Sequence, residues 1–187
     1  MRTDDNWFPT YSGEKFYPSD PDISEINIED IAHSLSNQCR FAGHTKEFYS
    51  VAQHCLLVSH HVPYNIALEG ILHDAAEAYC QDLIRPIKYG FGFHEYRIVE
   101  QRLEGKIEEK FNLFSLSSGV IKHHDNRALM TERRDLFLDS KARHYDWGIR
   151  EEPYEDVIIP MAPKEAKSAF LARFFYLHDQ RMPEVGR

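Results

Sequence analysis

Cysteine is scarce in this chain: Cys39, Cys55 and Cys80 are odd in number and form no CxxC pair. That argues against a disulfide framework and against a thiolate zinc site, and leaves all three as small buried side chains. Long apolar runs are also missing, none approaching the roughly 20 residues that span a bilayer. The opening stretch, "MRTDDNWFPTYSGEKF", lacks the apolar core of a signal peptide, so a cytoplasmic protein without membrane association is expected. Positive charge is short, with 22 Lys and Arg against 30 Asp and Glu and a formal net charge of −8. A nucleic-acid polymer, whose partners usually present a basic surface, is therefore not an expected ligand. A small anion remains compatible, because a pocket needs only a few local cations.

What is present is enough to build a core. The 187 residues are 42% hydrophobic and 13% aromatic, which fits one folded domain. Residues 1–24 mix aromatics, Pro, Gly and Asp without a clean period, and read as an arm packed on a domain of residues 25–187, with a short hairpin around Tyr11–Gly13. Helical signals dominate thereafter. "INIEDIAHSLSN" (26–37) has Asn27 as a candidate cap and two acids in its first turn. Residues 47–62 carry Val51, Cys55, Val58 and Val62 at helical spacing, and a further helix is expected from about Asn65 to Tyr79. Residues 94–111 place Tyr96, Val99, Leu103, Ile107 and Phe111 on one face. Helices over 118–139 and from Pro163 complete the set, joined by a long connection in which only "VII" (157–159) reads as strand. The fold class is all-α, a compact single-domain helical bundle.

Polar groups interrupt the apolar faces of three of these helices. His54 follows Val51 by three residues and precedes Val58 by four; His73 stands likewise between Gly70 and Glu77; Asp125 lies four after Ile121 and three before Ala128. One inward histidine is usually a satisfied core residue. Several inward ligand types on separate helices suit a divalent ion held by two imidazoles and two carboxylates, which relieves the cost of burying each alone. Glu77, one turn beyond His73-Asp74, is placed to move a proton for a bound water.

An upstream His, a His-Asp pair and a downstream Asp, in that order, resemble the HD-domain phosphohydrolases. The resemblance is carried by "HSLSNQCRFAGHTKEFYSVAQH" (33–54), "ILHDAAEAYCQDLIRPIK" (71–88) and "IKHHDNRALMTERRDL" (121–136), and spans the chain from about Trp7 to the final helix. It is nearest to the 5′-deoxynucleotidases and the small bacteriophage-type dATP triphosphohydrolases. It implies His54, His73, Asp74 and Asp125 as ligands of one Zn²⁺, Mn²⁺, Co²⁺, Fe²⁺ or Ni²⁺ ion, with a second, phosphate-bound Mg²⁺ compatible. The catalytic group would be Glu77 with Asp74. Substrate contacts would be Arg40, Lys88 and Lys122 on phosphate, with Arg85 a weaker option. Asp82 would meet the sugar or cap a helix, and Phe41 would meet the base or sugar or pack in the core. His44 would meet phosphate or hold its loop. The other histidine motifs read differently: His123 and His124 as a solvent-facing pair, and His178-Asp179 as an accident of composition.

The reaction so implied is hydrolysis between the 5′ oxygen and the α-phosphorus of a deoxynucleotide. A dATP-preferring triphosphohydrolase leads, on the short chain, "CRFAGHT" and the candidate cations. A 5′-deoxynucleotidase acting on monophosphates is the alternative. A non-catalytic nucleotide-binding module comes next, and a cyclic-nucleotide or (p)ppGpp hydrolase has no specific motif in its favour. Relatives of this kind are commonly homo-oligomers; the 94–111 helix and the aromatic arm suit a subunit interface or a cover for the chain's own core.

Overall fold

The computed structural model describes residues 2–3, 5–138, 141 and 144–181. It is all-α apart from one small hairpin, β1 (Phe8–Pro9) and β2 (Lys15–Phe16), paired antiparallel across the turn expected at Tyr11–Gly13. Phe16 is fully buried and stacks on Tyr79, centroids 4.0 Å apart, so the arm contributes to the core. No helix among the described residues is long and apolar enough to cross a membrane.

The helices are α1 (Ile28–Asn37), α2 (Val51–His61), α3 (Ala67–Leu72), α4 (Glu77–Cys80), α5 (Arg85–Lys88), α6 (His94–Phe111), α7 (Gly119–Leu136) and α8 (Pro163–Arg181). Side chains close the N-termini of α1, α2 and α7: the Asn27 side chain, the expected cap, accepts from Glu29 N–H, Ser50 accepts from Gln53 and Ser118 from Ile121. Helix α2 lies at the centre, packed against α1, α3, α7 and α8. Around it Ile31, Leu35, Val51, Cys55, Val58, Leu68, Ile71, Leu103, Ile107 and Phe170 are buried in one cluster. Each large apolar side chain so buried stabilises the fold by about 1.5–3 kcal/mol before entropic costs. Helix α6 buries Leu103, Ile107 and Phe111 against this core, so its apolar face covers its own chain.

Four expectations about local structure are corrected. Residues 47–50 are not helical: Arg40 N–H donates to Tyr49 O and Val51 N–H to Gln38 O, which holds that segment extended beside residues 38–40. The helix expected from Asn65 to Tyr79 is divided. His73 Nδ1–H takes the Gly70 carbonyl that Asp74 N–H would reach in an unbroken helix, and residues 75, 77, 78 and 79 bond three residues back instead. "VII" forms no strand, because side chains meet its backbone: Asp135 accepts from Ile158 N–H, and Gln53 donates to Ile159 O. Helix α7 stops at Leu136, with Phe137 extended (φ −95°, ψ 147°); residue 139, where it was expected to end, lies outside the described residues, as does the segment 182–187.

Glycine decides one helix approach. A Cβ on Gly70 would stand 2.8 Å from Val62 Cγ2 and 3.1 Å from Ser59 Cα, so α3 sits against α2 only because that position is bare. The approach sets His73 against His54.

Candidate metal centre

Helix α2 brings His54 into the core, fully buried, and the tightened turn after α3 brings His73 and Asp74 beside it. With hydrogen bonds three residues back, Asp74 and Glu77 fall nearly in register on one edge. Helix α7 supplies Asp125. His54 Nε2 lies 3.2 Å from His73 Nε2, 3.5 Å from Asp74 Oδ2 and 3.2 Å from Asp125 Oδ1. His73 Nε2 is 3.3 Å from Asp74 Oδ2. The ligand atoms of His54, His73 and Asp74 all lie within 4.8 Å of one another, and Asp125 joins through His54.

The tautomers make this cluster electron-rich. His73 Nδ1 faces the Gly70 carbonyl at 2.9 Å, an oxygen that only accepts, so Nδ1 carries a proton. His54 Nδ1 faces Glu132 Oε1 at 2.7 Å, and the same holds there, since Glu132 stays ionised. Burial opposes that charge on Glu132, but Arg40 and His54 outweigh it and hold its pKa below the usual carboxylate value. Two Nε2 lone pairs therefore meet at 3.2 Å with no proton assigned between them. Either a proton or a metal cation relieves the repulsion. Burial disfavours charge on both rings, and on His54 Arg40 does too. Asp74 and Cys55 outweigh burial at His73, as Glu132 and Asp125 outweigh both effects at His54, so each pKa is raised. First-row ions bind imidazole nitrogen and carboxylate oxygen at about 2.0–2.2 Å, which spaces neighbouring ligand atoms by roughly 3.0–3.5 Å. The donor set fits such an ion in type and spacing.

Beside the cluster opens a cavity of about 380 Å³. Arg40, Asp74, Glu77, Asp82, Arg85, Lys88, Lys122 and Asp125 line its charged part, and Phe41, Leu83, Ile84, Pro86, Tyr89, Leu129, Trp147 and Ile149 its apolar part. Glu77 is 6% exposed and its Oε2 has no hydrogen-bond partner. Burial, then the nearby Asp74 and Asp82, raise its pKa well above the usual value. Arg40 Nε is likewise buried without a partner. Orphaned buried polar atoms on two residues that line one cavity point to a ligand that satisfies them. Asp82 is raised by burial, partly offset by Arg40, and Gln38 holds its backbone through Oε1 at 3.0 Å.

A left-handed turn delivers Arg40 and Phe41 to this cavity. Phe41 (φ 55°, ψ 32°), Ala42 (φ 50°, ψ 31°) and Gly43 (φ 79°) are successive positive-φ residues, and only the last is glycine. An L side chain in this region costs roughly 1–2 kcal/mol. Ala42 is exposed, so its methyl group gives little back. Ala42→Gly is expected to raise unfolding free energy by about 0.5–1 kcal/mol, after the added chain entropy of glycine is discounted. Urea denaturation checks this, and a loss of stability would contradict the strain.

The structure brings together the predicted positions His54, His73, Asp74, Asp125, Glu77, Arg40, Phe41, Asp82 and Lys88, with Lys122 and Arg85 at the same cavity. His44 is exposed and outside the cavity lining; its backbone N–H closes the loop onto Phe41 O at 3.0 Å. Lys122 donates to Asp125 at 2.5 Å and Lys88 to Glu100 at 2.7 Å, so both ammonium groups already have acids. His123 is exposed, but His124 is half-buried with Nδ1 2.7 Å from the Tyr154 hydroxyl, which corrects the expectation of a solvent-facing pair. The connection before α8 passes close enough to be held there by Tyr154. His178 stacks on Phe174, away from the cluster.

No protein-family model matches the chain. An Escherichia coli (strain K12) protein, "Uncharacterized protein YfdR", is 42% identical over 179 residues, covering 94% of this chain and 98% of its own length. The chain belongs to the YfdR family. A Rhodobacter capsulatus protein, also named as uncharacterized, is 34% identical over 125 residues, 62% of this chain and 63% of its own. Neither name states an activity, and the chemistry of this YfdR-family chain rests on its own residues.

Two residues that shape the site, Glu132 and Glu100, are not among the positions that the sequence singles out. Glu132 joins His54 to Arg40, accepting from Arg40 Nη2 at 3.2 Å, and its signal was its position two turns after Asp125 on the same face. Glu100 falls among the charges of α6, yet is 5% exposed against Lys88. Only its register with Leu103 and Ile107 could have shown it. One turn on, burial and then Glu100 push Glu104 up to about 7 from an ordinary 4.5. A carboxyl raised in the folded state favours the protonated fold, so its penalty is absent below about 4.5 and grows as pH rises through 7. Glu104→Gln is expected to stabilise the protein by about 1 kcal/mol at pH 8 and to be neutral at pH 4, the shift being discounted for partial exposure. Paired thermal melts at the two pH values measure it; an equal effect at both contradicts the assignment.

Proposed function

We propose that the chain is a metal-dependent phosphohydrolase that cleaves the bond between the 5′ oxygen and phosphorus of a deoxynucleoside monophosphate. The observation that carries the reading is the pair of imidazole Nε2 atoms 3.2 Å apart, flanked by the carboxylates of Asp74 and Asp125, two residues that also line the cavity. The resemblance to HD-domain phosphohydrolases supports it. An ion on His54, His73, Asp74 and Asp125 would supply Lewis-acid polarisation of the phosphoryl group and acidify a water.

The remaining chemistry falls to the chain's own side chains. Arg40, fixed by Glu132, offers an unpartnered Nε–H to a phosphate oxygen. Glu77, whose carboxyl burial makes a weaker acid, gives its proton to the departing 5′ oxygen. Asp82 accepts from the sugar hydroxyl, and the apolar wall around Leu129, Trp147 and Ile149 receives the base. The preference for a monophosphate over the dATP reading rests on charge: Arg40, Lys88 and Lys122 are each matched by an acid, leaving little surplus for a longer polyphosphate. A second reading, the triphosphohydrolase, is favoured by one feature, the exposed Arg85 in the cavity lining.

Incubation with dAMP and dATP plus Mn²⁺ or Co²⁺, with products resolved by chromatography, tests this. Deoxyadenosine and inorganic phosphate from dAMP are expected. Triphosphate released from dATP, with dAMP untouched, would select the second reading, and no product from either would sink both.

A further inference from the structure

Lys88 lines the cavity but is tied to an acid that stands outside it. Its ammonium meets Glu100 Oε1 at 2.7 Å, and the Lys88 carbonyl accepts from Arg97 Nη1 at 2.9 Å, so α6 holds both ends of the residue. Glu100 is 5% exposed and does not line the cavity. A buried acid held against a cavity lysine has two effects. It lowers the positive potential that a phosphate chain meets, and it competes for the ammonium's protons. We infer that Glu100 is a specificity-determining residue, a buried counter-charge that holds Lys88 back and so discriminates against polyphosphate.

The physical case is one of charge matching. A phosphate monoester carries up to two negative charges, which an ion at the cluster would answer, with Arg40, already paired with Glu132, adding an N–H donor. A triphosphate carries about four, and the extra charge needs cations beyond the first phosphate. Lys88 would be such a cation if Glu100 did not neutralise it. Burial pushes the Glu100 pKa up and Lys88 offsets that only in part, so the 2.7 Å ammonium–carboxylate contact is what ties the pair. Removing the carboxylate while keeping its shape releases a unit of positive charge at the wall, where partial burial weakens screening.

This deepens the phosphohydrolase reading but is tested without turnover, so the two fail separately. Orthophosphate and tripolyphosphate are titrated calorimetrically into the whole protein and into Glu100→Gln, with circular dichroism confirming the fold. Glu100→Gln is expected to tighten tripolyphosphate about tenfold and orthophosphate less than threefold, and Lys88→Gln added to it is expected to remove the gain. An unchanged ratio of the two affinities, a gain that survives in the double variant, or no binding of either anion to any of the proteins overturns the inference. If Glu100→Gln does not fold, Lys88→Gln alone reads the same link from the other side. A lysine already neutralised contributes little, so a loss of tripolyphosphate affinity below threefold is expected, and a loss of tenfold or more overturns it. Absence of hydrolysis with the affinity shift intact would instead count against the proposed reaction.

Discussion

Glu132→Leu is expected to destabilise the protein by about 3–5 kcal/mol, because it breaks a buried charge pair by removing one partner. Glu132 is fully buried, and it serves two neighbours at once: Arg40 through Oε2 at 3.2 Å and His54 Nδ1 through Oε1 at 2.7 Å. Leucine fills the space but removes the buried carboxylate that the Arg40 guanidinium bonds, leaving it Asp74 at 3.6 Å and the field of Asp82, and takes the acceptor from the His54 N–H. Glu132→Gln keeps one acceptor oxygen and is expected to cost less, about 1–2 kcal/mol. The carboxylate also fixes the His54 tautomer that aims Nε2 at His73. Its loss should therefore weaken metal affinity by roughly 10–100-fold, the usual effect of removing a partner behind a metal-bound imidazole. Urea unfolding of the metal-free protein and a Co²⁺ titration separate the two effects. A destabilisation under about 1 kcal/mol, with unchanged metal affinity, would contradict this role for Glu132.

Glu77→Gln is expected to lower turnover of dAMP by about 10²–10⁴-fold while metal content stays unchanged. The carboxyl is buried beside the cluster without being part of the mutually close ligand set, and Oε2 has no protein partner. Glutamine preserves the volume and cannot give up a proton of comparable acidity. The fold should tolerate the change, because a carboxyl whose pKa is raised by burial is not stabilised by ionisation there. Single-turnover kinetics with metal analysis decide the matter. Retained turnover would remove Glu77 from proton transfer; lost metal would make it a ligand instead.

The sequence made some of this legible because helical spacing is a strong signal and buried ligands interrupt it visibly. His54 stands out between Val51 and Val58, and Asp125 between Ile121 and Ala128, since each places a polar group on a stripe that is otherwise apolar. Helix starts at Asn27 and Pro163 were equally plain, being local chemistry. The break after Leu72 was not legible, because it depends on the His73 side chain competing for the Gly70 carbonyl. That competition follows from the ring's final position. The same limit hid the left-handed turn at Phe41–Gly43, where two of three residues have no glycine-like freedom. Glu132 and Glu100 were missed for a related reason: a charged residue on a helix reads as solvated until its partner, 92 residues away for Arg40–Glu132, is known. The connection before α8 misled in the opposite sense, its apolar "VII" resembling a strand while Gln53 and Asp135 supply the hydrogen bonds a ladder would have given.

The proposed function requires that His54, His73, Asp74 and Asp125 hold one divalent ion. Crystals grown with Mn²⁺ or Co²⁺, measured at the absorption edge of the metal, test it most directly. An anomalous peak about 2.0–2.2 Å from both Nε2 atoms and from carboxylate oxygens of Asp74 and Asp125 is the predicted result. Imidazoles still facing each other with no peak between them, at metal concentrations that saturate turnover, would contradict it.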